Sequence, residues 1–158
     1  MKNLPDPCFG NIFLDANALD RIDKQRSDLV DQFQRLAEEL ELNIVNPSGV
    51  QKEIDNMQTP RQTQMDMSGI YTIKVPLNHH EFSIREKLRQ VMSGNAQSSK
   101  HYADADHLFE ASKYGRYFIT HDRRIRMKQL EIVKLCPGLN IVELHEFVKI
   151  CLTRSKCI

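Results

Sequence analysis

Short runs of β-branched and aromatic residues alternate along this chain with longer stretches whose apolar positions recur every three or four residues. The first run, residues 12–15, ends on Asp15. Over residues 27–42, Leu29, Val30, Phe33, Leu36, Ala37 and Leu40 form one apolar stripe at helical spacing, with Ser27 and Asp28 as its start. Asn43-Ile44-Val45 is a second strand, stopped by Pro47-Ser48. Ser48 and Gln51 fit a capping box for a helix over GVQKEIDNM, which buries Val50, Ile54 and Met57 and ends before Pro60. Residues 58–80 show little regularity, with 71–75 as a short strand or an extended segment. A helix over 81–93 places Ile84, Leu88, Val91 and Met92 on one side and stops at Gly94. After a polar loop at 95–100 come a helix from about 102 to 114 closed by Gly115, a strand at 117–120 and a short helix at 123–131. Pro137-Gly138 turns the chain into a strand at 141–144 and a helix at 145–153.

Strands alternating with helices imply βαβ units. The expected fold is therefore α/β, three layers with a mainly parallel central sheet and helices on both faces. The chain shows no fixed-period repeat and no Pro- or Gly-rich linker, so residues 1–158 are read as one domain. In such sheets, chemistry collects beyond the carboxyl ends of the strands. Asp15 and Asp122 fall at two of those ends.

Composition narrows the picture only modestly. Hydrophobic content of 41%, charge of 27% and a net charge of +1 are ordinary for a globular domain and give no bulk attraction to nucleic acid. No apolar run reaches membrane-spanning length and the first residues lack a signal-peptide core, so a cytoplasmic protein is expected. Four dispersed cysteines without a C-x-x-C pair read as free thiols rather than a zinc site.

Two further acids join the strand-end pair. Glu53 lies on the margin of the 49–57 helix, and Asp104 shares the inward edge of its helix with Leu108 and Ala111, while Asp106 points away. Four carboxylates in one crevice repel one another and persist only when protonated or neutralised by a cation. Hard oxygen donors suit Mg²⁺ or Mn²⁺, which can activate water and neutralise a phosphate. Taken one at a time, Asp15 or Asp122 is equally a helix cap, and Asp104 a first-turn acid.

The stretches IFLDANAL (12–19), VQKEI (50–54), DADHLFEASKYG (104–115) and YFITHD (117–122) resemble the PIN-domain nucleases, a family that includes bacterial toxin ribonucleases of the VapC kind. The likeness runs from residue 12 to about 145. Ala16 departs from the family's usual Thr or Ser after the first acid, and residues 58–100 align with nothing in it. The resemblance implies a PIN-like fold and a metal-dependent endoribonuclease leaving a 5′-phosphate. In it Asp15, Asp104 and Asp122 hold Mg²⁺ or Mn²⁺, and Glu53 completes the catalytic set and helps deprotonate the attacking water. It gives Asn17 and Thr120 the task of holding those carboxylates by hydrogen bonds. It also implies an RNA substrate, an antitoxin protein as partner and a homodimer, hence the toxin of a toxin–antitoxin pair. The alternative is a PIN-like scaffold that binds RNA or a protein without turnover.

The basic run Arg123-Arg124-Arg126-Lys128 follows Asp122 and is either a phosphate contact or a solvated helix surface. Arg123, Arg124 and, separately, Lys100 are the candidate substrate contacts. Six histidines show no pairing with a nucleophile; His107 reads as structural. An aspartate-nucleophile phosphatase needs a second Asp where Asn17 stands, a phosphoacceptor receiver needs an acidic neighbour where Ala16 stands, and dinucleotide binding needs a Gly-rich first turn that is absent.

Overall fold

The computed structural model describes residues 3–47, 58–67, 70–73, 76–94 and 100–155. Five strands, β1 (Asn11–Leu14), β2 (Asn43–Pro47), β3 (Tyr71–Ile73), β4 (Gly115–Ile119) and β5 (Asn140–Val142), form one sheet. Their order is β3-β2-β1-β4-β5 and every neighbouring pair is parallel. The described helices are α1 (Lys24–Glu39), α2 (Arg61–Met67), α3 (His79–Ser93), α4 (Lys100–Tyr114), α5 (Arg123–Met127), α6 (Gln129–Leu135) and α7 (Leu144–Ser155). None is long and apolar enough to cross a membrane.

Strand residues alternate between two faces, and each face has its own core. Ile12, Leu14, Tyr117, Ile119 and Val142 pack with Val30, Phe33 and Leu36 of α1 and Phe147 and Val148 of α7. Phe13, Val45, Phe118 and Ile141 pack on the opposite side with Leu88 of α3, Leu108 and Phe109 of α4, and Ile132 of α6. The sheet is thus covered on both faces, which is why its strands read as nearly continuous apolar runs.

Strand order reverses between β1 and β4, the position where open α/β sheets form a crevice. The α4–β4 junction lies at the opposite edge of the sheet, where Gly115 pairs with Asn11 at the start of β1. A Cβ on Gly115 would stand 2.6 Å from Phe13 Cδ2 and 2.7 Å from the Ala111 carbonyl oxygen, so only glycine lets α4 lead straight into β4 against β1.

Several boundaries differ from expectation. Helix α1 begins at Lys24, because the Asp23 carboxylate caps the Arg26 N–H at 2.7 Å; Ser27 Oγ accepts from Arg21 Nη1 at 2.8 Å instead. Pro47 belongs to β2. The β1 ladder stops at Val45, so Pro47 has only β3 beside it, where a missing donor is tolerated. The irregular 58–80 stretch contains α2, whose buried residues are Thr63 and Met67. His79 and His80 open α3 behind a full Asn78–Glu81 capping box. The single helix expected over 123–131 is two, α5 and α6, joined at Lys128. Gly115 starts β4 rather than only closing a helix. The expected helix at 49–57, with Ser48, Gln51 and Glu53, lies outside the described residues.

Candidate active site at the sheet's switch point

The ladder continues one step past the formal strand ends. Asp15 N–H donates to the Ile119 carbonyl and Thr120 N–H to the Val142 carbonyl, both at 3.0 Å. This draws Asp15 and Thr120 into the same buried corner. Thr120 Oγ1 donates to Asp15 Oδ2 at 2.6 Å and in turn accepts the Asp122 N–H at 3.0 Å. The second Asp15 oxygen accepts the Ala16 N–H at 2.8 Å. Asn17 Oδ1 accepts the His121 N–H at 3.0 Å, tying the β1 loop to the β4 loop. Thr120 therefore holds Asp15 as expected, whereas Asn17 holds backbone, not a carboxylate.

Asp122 is a helix cap: its Oδ1 accepts the Arg124 N–H at 2.8 Å at the start of α5. Its other oxygen is bridged to Asp104 of α4. Arg124 Nη2 donates to Asp122 Oδ2 and to Asp104 Oδ2, each at 3.1 Å, and Nη1 donates to His101 Nδ1 at 2.7 Å. Asp106 points the other way, onto Arg89 at 2.9 Å. The structure thus brings Asp15, Asp104, Asp122, Thr120 and Arg124 together. Glu53 and the Lys100 side chain lie outside what is described, and Arg123 is exposed.

The electrostatics record the crowding. Burial pushes the Asp15 carboxyl above the usual carboxylate range, against the pull of the Thr120 and Ala16 donors. Burial also raises Asp104, helped by the charges of Asp15 and Asp122 and opposed by Arg124. Asp122 moves down: burial pushes it up, but its hydrogen bonds from Arg124 outweigh that. One guanidinium therefore serves three carboxylates. Among the described residues, no group of three or more His, Cys, Asp and Glu side chains is arranged to hold a metal ion.

The basic run divides by contact. Lys128 Nζ reaches the Val91 and Met92 carbonyls at the end of α3, and Arg126 bonds the Ile141 carbonyl and Glu146, so both are structural. His107 is buried on α4, and burial lowers its pKa. Sequence reading missed the His101–Arg124 contact, which joins residues 23 apart with no shared motif. It also missed a cavity of about 210 Å³ lined by His121 and, among others, Arg26, Leu29, Glu143 and His145. No family model matches the chain, and no curated protein matches it significantly.

Proposed function

We propose that this protein is a PIN-like, divalent-metal-dependent endoribonuclease. The observation that carries the proposal is the chain of contacts among three acids: Asp104 and Asp122 share Arg124 at 3.1 Å, and Asp122 and buried Asp15 share Thr120 Oγ1. A cap explains Asp122 alone; it does not explain three acids at one switch point. The uncompensated charge and the all-oxygen donor set fit Mg²⁺ or Mn²⁺, with Asp15, Asp104 and Asp122 as the residues that would hold it. When bound, such an ion supplies an activated water and neutralises charge on the phosphate. The chain's own residues do the positioning. Thr120 locks the Asp15 carboxylate in one orientation. Arg124 is half exposed at the cleft, and its N–H groups not taken by Asp104, Asp122 and His101 can meet a phosphodiester oxygen. Asn17 fixes the backbone between Thr120 and Asp122. The antitoxin partner, the homodimer and the toxin role rest on the resemblance alone.

The Arg124 bridge favours a second reading, a scaffold in which the arginine permanently neutralises the acids and no turnover occurs. A Mn²⁺ titration separates the two. Under the nuclease proposal Mn²⁺ raises the melting temperature and supports cleavage of a mixed RNA pool, and Asp104→Asn loses both responses. An unchanged melting temperature together with intact RNA would leave the scaffold standing.

A further inference from the structure

We infer that Arg124 is the chain's own stand-in for the divalent ion: it holds the Asp104 and Asp122 oxygens, gives them up when an ion binds, and then turns its guanidinium to the substrate phosphate. The inference rests on the nuclease proposal and extends it to how the empty site is neutralised and in what order ion and RNA bind.

A single nitrogen does the bridging. Arg124 Nη2 lies 3.1 Å from Asp104 Oδ2 and 3.1 Å from Asp122 Oδ2, so the two carboxylates converge on one positive group. The other oxygen of Asp122 is committed to the Arg124 backbone N–H at 2.8 Å. Asp15 is engaged at both oxygens, by Thr120 and by the Ala16 N–H. A hard divalent ion needs carboxylate oxygens, and a guanidinium on those oxygens repels it. The two cations therefore compete.

The arginine is the member free to leave. Its side chain is 45% exposed, whereas those of Asp104 and Asp122 are 17% and 18% exposed. The acids are fixed in the cleft and the cation faces water, where ion pairs hold weakly. The Arg21–Asp66 pair is the opposite case, with side chains 16% and 7% exposed. Release of Arg124 also spares the fold, because Asp122 caps α5 through the Arg124 backbone N–H and not through its side chain. A guanidinium that lets go of Asp104 and Asp122 keeps His101, 2.7 Å from Nη1, as an anchor beside the cleft. Its freed N–H groups then match the oxygens of a phosphodiester, the anion that the proposed reaction brings there.

Two measurements on the full chain test this. The first is calorimetric titration with Mn²⁺ in the absence of RNA. Arg124→Gln, which removes the charge and keeps a polar side chain, should bind Mn²⁺ about tenfold tighter than the parent. Arg124→Lys, which keeps the charge, should stay near the parent. The second measurement uses unaltered protein and stands even if a variant fails to fold. Phenylglyoxal modification, mapped by peptide mass, should run several-fold faster at Arg124 in Mg²⁺ than in chelator, with exposed Arg123 as the unchanged reference. A short 2′-O-methyl RNA strand added with the Mg²⁺ should slow it again. If neither the parent nor Arg124→Gln takes up Mn²⁺, the nuclease proposal falls and takes this inference with it. Mn²⁺ binding no tighter in Arg124→Gln than in the parent overturns the inference alone. So does an Arg124 reactivity that Mg²⁺ leaves unchanged, or one that rises in Mg²⁺ and ignores the strand.

Discussion

Two arginines in this protein sit between aspartates, and their surroundings are opposite. Arg21 pairs with Asp66 at 2.7 Å and with Asp31 at 2.8 Å, and Asp66 also accepts from Gln34 and Gln62. Burial pushes Asp66 up, yet these donors outweigh it and its pKa ends below the usual value. That cluster ties the β1 loop, α1 and α2 together, with nearly every lone pair answered. Around Arg124 the balance fails: burial keeps Asp15 and Asp104 above their ordinary values although the guanidinium bridges Asp104 to Asp122. An ion network built only for stability resembles the first. A network that leaves charge unanswered in a cleft has its counter-charge elsewhere, in a ligand.

The largest expected effect is on turnover. Asp104→Asn keeps an oxygen for Arg124 but removes a like charge from the crowded corner. RNA cleavage should fall by about 10²–10³-fold, while the melting temperature holds or rises. A variant that melts well below the parent would place Asp104 with Asp66 as a structural acid. Asp66→Asn should do the reverse. It leaves partly buried Arg21 with exposed Asp31 as its only carboxylate. A loss of about 2–3 kcal/mol is expected, or roughly 5–10 °C in melting temperature, with the cleavage rate of the folded protein unchanged.

The same two substitutions should tilt stability oppositely with pH. Asp104 titrates above its ordinary value of 3.8 when folded, so the folded chain holds that proton more tightly than the unfolded one. Its contribution is complete below pH 3.8 and is lost as pH rises through the folded pKa. Asp104→Asn should therefore gain on the parent as pH climbs above 3.8. Asp66 is displaced downward, so its contribution is present above pH 3.8 and is lost as pH falls through the lower folded pKa. The deficit of Asp66→Asn should be full at neutral pH and close in strong acid. Parallel denaturation curves for the two variants across this range would erase the distinction between the clusters.

Sequence pattern reached the first arginine's partners poorly and the second's well, for physical reasons. Asp15 and Asp122 were legible because a buried strand rarely finishes on a carboxylate, and Asp104 because its helix edge continues through Leu108 and Ala111. Helices on both faces of the sheet were implied by strands alternating with helices along the chain. Helix α2 was not legible: RQTQMDM buries only Thr63 and Met67, too sparse a stripe to stand out. Nor was Pro47 inside β2, since its tolerance depends on where the β1 ladder stops. The position of Arg124 across the acids depends on loops meeting in space, for which spacing along the chain carries no signal.

The smallest effects concern the basic residues after Asp122, which pattern alone treats as one group. Lys128 extends its ammonium to carbonyls at the end of α3, where backbone acceptors have no helical partner. Lys128→Met should cost about 0.5–1 kcal/mol of stability and leave the salt dependence of RNA binding where it was. Arg123 is exposed at the start of α5, next to the Asp122 and Arg124 contacts, and buries nothing. Arg123→Ala should leave the melting temperature alone and lower the slope of log affinity against log salt by about 0.7, one released counterion on a single strand. Measured side by side, the two separate a charge that holds the fold from one that holds the substrate. A salt slope that moves with Lys128 rather than Arg123 would put the RNA path over α3 instead of along the strand ends.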